Sequence, residues 1–203
     1  MEIIVDNLID QALEKAMSYK QFRNELDTLA EAAKSGDLDQ TDAYLEYRLL
    51  NQQRMKRLDK NFNLSESVQA KLKENERPVI WLVLIENWCG DGAQSMPVLN
   101  KMAEASPNIS LKIVLRDQNL PLMDQFLTDG GRSIPKLIML DENTSEVLDT
   151  WGPRPSIATA MVNEQKEKFG EITLEFRTEL QKWYTKDKGL NVVSDVLKML
   201  ALE

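Results

Sequence analysis

Histidine is absent from this chain of 203 residues, and cysteine occurs once, at Cys89. The missing histidines remove the commonest general base and the commonest metal ligand. The single thiol excludes an intramolecular disulfide, a cysteine-rich zinc site and an iron–sulfur cluster held by this chain alone. It argues against a disulfide-stapled secreted scaffold and fits a reducing compartment, so the expected location is cytoplasmic. No apolar run approaches the roughly 18 residues that span a bilayer. The stretch MEIIVDNLIDQALEKAM carries acids among its apolar positions and no positive leader, unlike a signal peptide. Basic residues are outnumbered, 25 against 33 acids, for a net charge of -8. Such a surface repels phosphate backbones and anionic lipid, so neither nucleic acid nor a membrane is an expected partner. What is present, 42% hydrophobic residues, is enough for a core.

The first 75 residues read as helical. Leu8, Ala12, Leu13 and Ala16, then Phe22, Leu26, Leu29 and Ala33, recur at helical spacing. Ser35-Gly36-Asp37 breaks the pattern, a third helix is expected from Thr41 to Leu58, and a short one ends at Lys73. The texture changes after Arg77-Pro78. Val79 to Ile85, VIWLVLI, is a short, unbroken apolar run of the kind that makes a buried strand. Gln94 to Ala105 reads as a helix interrupted by Pro97, Ile109 to Arg116 as a second strand, and Leu120 to Leu127 as a short helix. Lys136 to Leu140 and Glu146 to Trp151 flank a polar turn, as in a hairpin, and helices follow from Ser156 with breaks at Gly170 and Gly189. The order implies an α/β architecture: a central mixed sheet flanked by helices, with added helices at both ends. The expected division is a helical extension over residues 1–75 and a sheet domain over 76–203.

Chemistry concentrates in Glu86-Asn87-Trp88-Cys89-Gly90-Asp91-Gly92. Cys89 follows a buried strand and precedes a helix. A thiol there faces unpaired backbone N–H groups and the positive end of the helix dipole, so its pKa is expected to fall. Asp91 acts the other way as a nearby negative charge, and otherwise serves as a helix cap. Gly90 and Gly92 allow close approach of a partner. Arg154, between two prolines, reads as an anion contact or as one half of an ion pair. The carboxylates Asp37, Asp39 and Asp42 read as solvated surface.

Trp88-Cys89-Gly90 with Pro97 eight residues past the cysteine resembles the active-site stretch of thioredoxins. Arg132-Ser133-Ile134-Pro135 resembles the segment whose cis-proline lies beside that cysteine, and Trp151-Gly152 the glycine that ends the last strand. The resemblance covers about residues 76 to 170 and implies a thioredoxin fold with Cys89 as the catalytic residue. It implies substrate contacts from Trp88, Gly90, Asp91, Gly92, Ile134 and Pro135, and no metal. Two departures bear on function: Gly92 stands where thioredoxins have the resolving cysteine, and Val83 where many bury an aspartate. Lys136 follows Pro135, and beside Cys89 it would lower the thiol's pKa. The function implied is monothiol redox chemistry on a protein or small-thiol substrate. No bound cofactor is needed, and glutathione or another low-molecular-weight thiol is the candidate cosubstrate. The alternative is a non-catalytic module that binds peptides or proteins in the thioredoxin groove. The helices carrying Tyr44, Tyr47 and Leu50 either dock on the domain or form a partner surface above the site.

Overall fold

The computed structural model describes residues 2–36 and 43–202. The carboxylate run at Asp37, Asp39 and Asp42, and the expected start of the third helix at Thr41, lie outside the described residues. Helices α1 (Glu2–Glu14), α2 (Tyr19–Ser35), α3 (Leu45–Asn61) and α4 (Glu66–Lys73) precede strand β1 (Val79–Ile85). Then come α5 (Gly90–Glu104), β2 (Ile109–Leu115), α6 (Leu120–Met123), β3 (Lys136–Asp141) and β4 (Val147–Trp151). Helices α7 (Ser156–Phe169), α8 (Leu174–Asp187) and α9 (Leu190–Met199) close the chain.

The sheet order is β2-β1-β3-β4. β1 runs parallel to β2 and antiparallel to β3, and β3 and β4 form the antiparallel hairpin. VIWLVLI is apolar on both faces because it is an inner strand with helices on either side, and six of its seven residues are buried. Met17, between α1 and α2, bridges Ile113 on the outer edge of β2, so the N-terminal segment covers an edge that would otherwise expose unpaired backbone groups. Helix α2 starts where Ser18 and Gln21 form a reciprocal capping box and stops at Gly36 in the left-handed region.

One buried cluster joins Ile9, Phe22, Leu26 and Met55 of the helices to Trp81, Leu84 and Leu137 of the sheet. Each such side chain contributes about 1.5–3 kcal/mol on burial, so the N-terminal helices are held by the same core as the sheet. A smaller cluster, Ala158, Val162, Phe176, Leu180 and Tyr184, holds α7 against α8.

Two expected boundaries move by four residues, and others by three or fewer. Helix α5 begins at Gly90 rather than Gln94 and runs through Pro97 without a break. A proline at that depth forfeits one backbone hydrogen bond and costs about 3 kcal/mol. The loss is offset because Gly92 to Leu99 are all buried against the sheet. Helix α6 stops at Met123, where turn bonds from Gln125 to Leu122 and from Phe126 to Met123 replace the helical ones; a tight turn with positive φ at Asp129 and Gly130 follows, across which Thr128 bridges Gly131.

Candidate functional site

Strand β1 delivers the loop Glu86-Asn87-Trp88 to the start of α5, and partners on other elements hold that loop. Glu86 accepts from the Asp117 backbone N–H at 2.9 Å. Asn87 accepts from Arg48 Nε through its side chain at 2.8 Å, and from buried Asn51 Nδ2 through its carbonyl at 3.0 Å. Arg48 and Asn51 belong to α3, so a helix of the N-terminal extension positions the loop that carries the thiol. Trp88 stacks on Tyr44, with ring centroids 4.4 Å apart and planes 14° off parallel, and Arg116 lies 5.1 Å from its ring.

Cys89 is itself the N-cap of α5. Its sulfur accepts from the Gly92 N–H at 3.3 Å and donates its proton to the Ile134 carbonyl at 3.2 Å. The Ile134–Pro135 peptide is cis. The helix N-terminus was expected to acidify the thiol; the structure reverses this, with the Cys89 pKa pushed up to about 12. Burial is the largest cause and the Asp91 charge the second. The N–H groups of Gly92 and Asp91 and the Arg154 cation pull downward but do not win. With the side chain buried, a thiolate would lose most of its hydration, and also its bond to the Ile134 carbonyl, keeping only the Gly92 and Asp91 N–H groups.

Asp91 does not cap the helix. Its Oδ2 lies 2.8 Å from Arg154 Nε, an ion pair whose N–H is not aligned on the oxygen, and its Oδ1 accepts from the Tyr184 hydroxyl at 3.0 Å. Burial pushes the Asp91 carboxyl up, while Arg154, Tyr184 and Arg54 pull it back. Arg154 is thus an ion-pair partner rather than an anion contact. Its backbone is fixed by the flanking prolines and by α9, whose Asp195 and Asn191 side chains accept from the first N–H groups of α7, at Ser156 and Ile157.

Gly92 does not open the backbone to a partner. A Cβ there would lie 2.4 Å from Ile85 Cδ1, so the glycine lets α5 seat on the strand. Lys136 is neither solvated nor among the charges acting on Cys89; it is buried at the start of β3, and burial pushes its ammonium pKa down. Val83 is fully buried in β1.

Above the thiol lies a cleft of about 640 Å³, walled by Trp88, Cys89, Gly90, Asp91 and Ile134 from the sheet domain. Tyr44, Tyr47 and Leu50 reach it from the α3 side, and Ile172, Leu174 and Leu180 from the α8 side. Of the residues expected from the sequence to contact substrate, Trp88, Gly90, Asp91 and Ile134 line this cleft, whereas Gly92 and Pro135 lie behind it. Asn51, Arg54 and Gln181 were missed, and Trp183-Tyr184 reads from the sequence as packing alone. Their contacts cross between helices far apart in sequence, and a buried asparagine or tyrosine hydroxyl leaves no local signal. Among the described residues no group of three or more acids and cysteines converges as a metal site, and no helix is long and apolar enough to cross a membrane.

The sheet order, the thiol at the head of α5 and the cis-proline facing it define a thioredoxin-like α/β domain with added helices. A thioredoxin family model matches residues 37–168, and the chain belongs to that family. No curated protein matches the sequence. Among solved structures, a protein of unknown function, PA1234 from Pseudomonas aeruginosa, is 21% identical with a TM-score of 0.58, over 75% of this chain and 83% of that one. An HIV epitope scaffold is 20% identical with a TM-score of 0.56, over 91% of this chain and 98% of that one. At these identities the likeness concerns the fold alone.

Proposed function

We propose that this protein is a binding module built on the thioredoxin fold, in which the cleft over Cys89 captures an extended apolar segment of a partner protein. The observation that carries this reading is the cleft's wall of exposed apolar side chains. Tyr44 is 43%, Tyr47 46%, Leu50 44% and Leu174 74% exposed, and Tyr44 is stacked on the half-buried Trp88. Rigid aromatic rings at a concave site supply contact area at low entropic cost. Cys89 fits as a neutral wall residue: it is protonated at physiological pH, and no second cysteine can release a mixed disulfide.

A second reading, thiol exchange, is favoured by one observation: the sulfur borders the cleft with the Gly92 N–H already directed at it. In that chemistry Cys89 gives up its proton and its sulfur bonds to one sulfur of a bound disulfide, and the other sulfur leaves as a thiolate. An external thiol such as glutathione then takes the retained half and returns Cys89 to the thiol.

Peptides selected against the immobilised protein and measured by fluorescence anisotropy separate the two. Binding predicts that Tyr44→Ala or Trp88→Ala weakens affinity at least about tenfold, whereas Cys89→Ala leaves it within about threefold. Selected ligands that all carry a disulfide, and are lost with Cys89→Ala, contradict the module and support exchange.

A further inference from the structure

The cleft over Cys89 does not end at Arg54. It continues into a trough of about 620 Å³ between α3, α5 and α8, with Leu50, Arg54, Thr178 and Gln181 common to both compartments. On α3 the trough is lined by Leu50, Gln53, Arg54 and Arg57, and on α8 by Thr178, Gln181, Lys182, Thr185 and Lys186. Each set recurs at three- and four-residue intervals, so two helices turn one continuous stripe toward the same space. Neither stripe is the apolar seam that packs two helices together. They bring Arg54, Arg57, Lys182 and Lys186 together with no acid in the lining, in a protein whose net charge is -8.

These cations are not consumed by the fold. Arg54 donates to Asn51, and the acid that bears on it is Asp91, already engaged by Arg154 and Tyr184. Among the described residues Arg57 reaches only the Gln94 amide oxygen, at 3.5 Å. Lys182 and Lys186 make no ion pair within 4.0 Å among the described residues, although Glu175 and Glu179 line the adjoining hollow with them, on the side away from the trough. The floor is rigid: buried Gln94 donates to Gln181 at 2.9 Å, tying α5 to α8 beneath the cations. Four like charges held side by side repel one another, and an incoming anion relieves that repulsion.

We infer that this trough is the docking site for the acidic part of the partner, so that the segment recognised carries Asp or Glu residues beside the apolar ones held over Cys89. The inference rests on the cleft being a binding site, and it adds charge selection through arginine and lysine contacts to carboxylates.

The test uses hexaglutamate, whose carboxylates address the cations and which has no apolar side chain to place over Cys89; Arg154 and Arg177, which line the cleft itself, stay unchanged in the variant that reads the trough. The side-chain Nε–H signals of Arg54 and Arg57 are followed by NMR. Saturable shifts are expected with hexaglutamate and none with hexaglutamine. The affinity should fall at least about tenfold when salt is raised from about 20 to about 200 mM. The Arg57→Glu/Lys182→Glu/Lys186→Glu variant, altered only at exposed positions, should lose binding while keeping its circular dichroism and melting temperature. Hexaglutamate that fails to bind, or that binds the charge-reversed variant equally well, overturns the inference and leaves the apolar cleft to be judged by its own peptides. Tripolyphosphate binding without hexaglutamate binding also overturns it, and marks the trough as a phosphate site.

Discussion

Gly152→Ala is expected to leave the protein largely unfolded, with a loss of more than about 4 kcal/mol. Gly152 has φ 112°, where a side chain is strained, and a Cβ there would lie 2.1 Å from the Pro135 carbonyl oxygen. That obstacle is backbone and cannot swing aside as a side chain can. Relief requires β4 to part from the segment that presents Ile134 to Cys89, and Leu137 is paired with Trp151 immediately beyond it. Gly170→Ala is the control. Gly170 also has positive φ, 75°, but nothing lies within 4 Å of an added Cβ, so only the backbone preference is lost, about 1 kcal/mol. Urea unfolding of both variants checks the pair; similar midpoints would mean that the contact at Pro135 does not constrain the fold.

Arg154→Ala has the next largest effect, about 2–3 kcal/mol of stability at neutral pH. Removing one partner of a fully buried ion pair costs about 3–5 kcal/mol. The lower figure applies because Arg154 is 24% and Asp91 12% exposed. What remains is a buried carboxyl with only the Tyr184 hydroxyl and a more distant Arg54. Its pKa, already raised by burial, rises further. A folded-state pKa above the unfolded one means that stability is greatest with the proton bound and declines as pH rises through the folded value. The deficit of Arg154→Ala against the wild type should therefore be largest near pH 7 and shrink as the solution is acidified. Asp91→Asn in the Arg154→Ala background removes the stranded charge and should restore most of the loss, a non-additivity above about 1 kcal/mol. The single variants should also move Cys89 in opposite directions. Arg154→Ala withdraws a cation and slows alkylation of the thiol, while Asp91→Asn withdraws the anion that raises its pKa and speeds it. Additive stabilities, or the same direction of change at Cys89, would contradict the assigned pairing.

Local patterns carry the sheet. VIWLVLI reflects burial that a short stretch of sequence records, and the second strand and the polar turn of the hairpin fall where their local composition places them. The thiol's location at the head of α5 and the cis-proline opposite it were also legible, because both sit in contiguous motifs. The electrostatics of the site were not. The helix N-terminus argues for an acidic thiol, and it does direct N–H groups at the sulfur. The burial that outweighs it comes from the main core cluster that Cys89 joins, drawn from helices and strands far apart in sequence, and the charges beside it from the Asp91–Arg154–Tyr184 contacts, between residues up to 93 positions apart. The cationic trough was hidden for the same reason: its two stripes lie on helices whose facing is settled only by tertiary packing.

The central claim, that Cys89 is a protonated wall of a binding cleft rather than a resting nucleophile, is tested most directly by its alkylation rate with iodoacetamide across the pH range, in native and urea-unfolded protein. A thiol moved from 9.0 to about 12 holds about a thousandfold less thiolate at neutral pH. The greater nucleophilicity of a more basic thiolate recovers part of this, so the native protein should react at least about thirtyfold more slowly, with the rate still climbing above pH 10. A native thiol that reacts as fast as the unfolded one or faster, with its rate levelling off below pH 8, would contradict the account and make Cys89 an activated nucleophile.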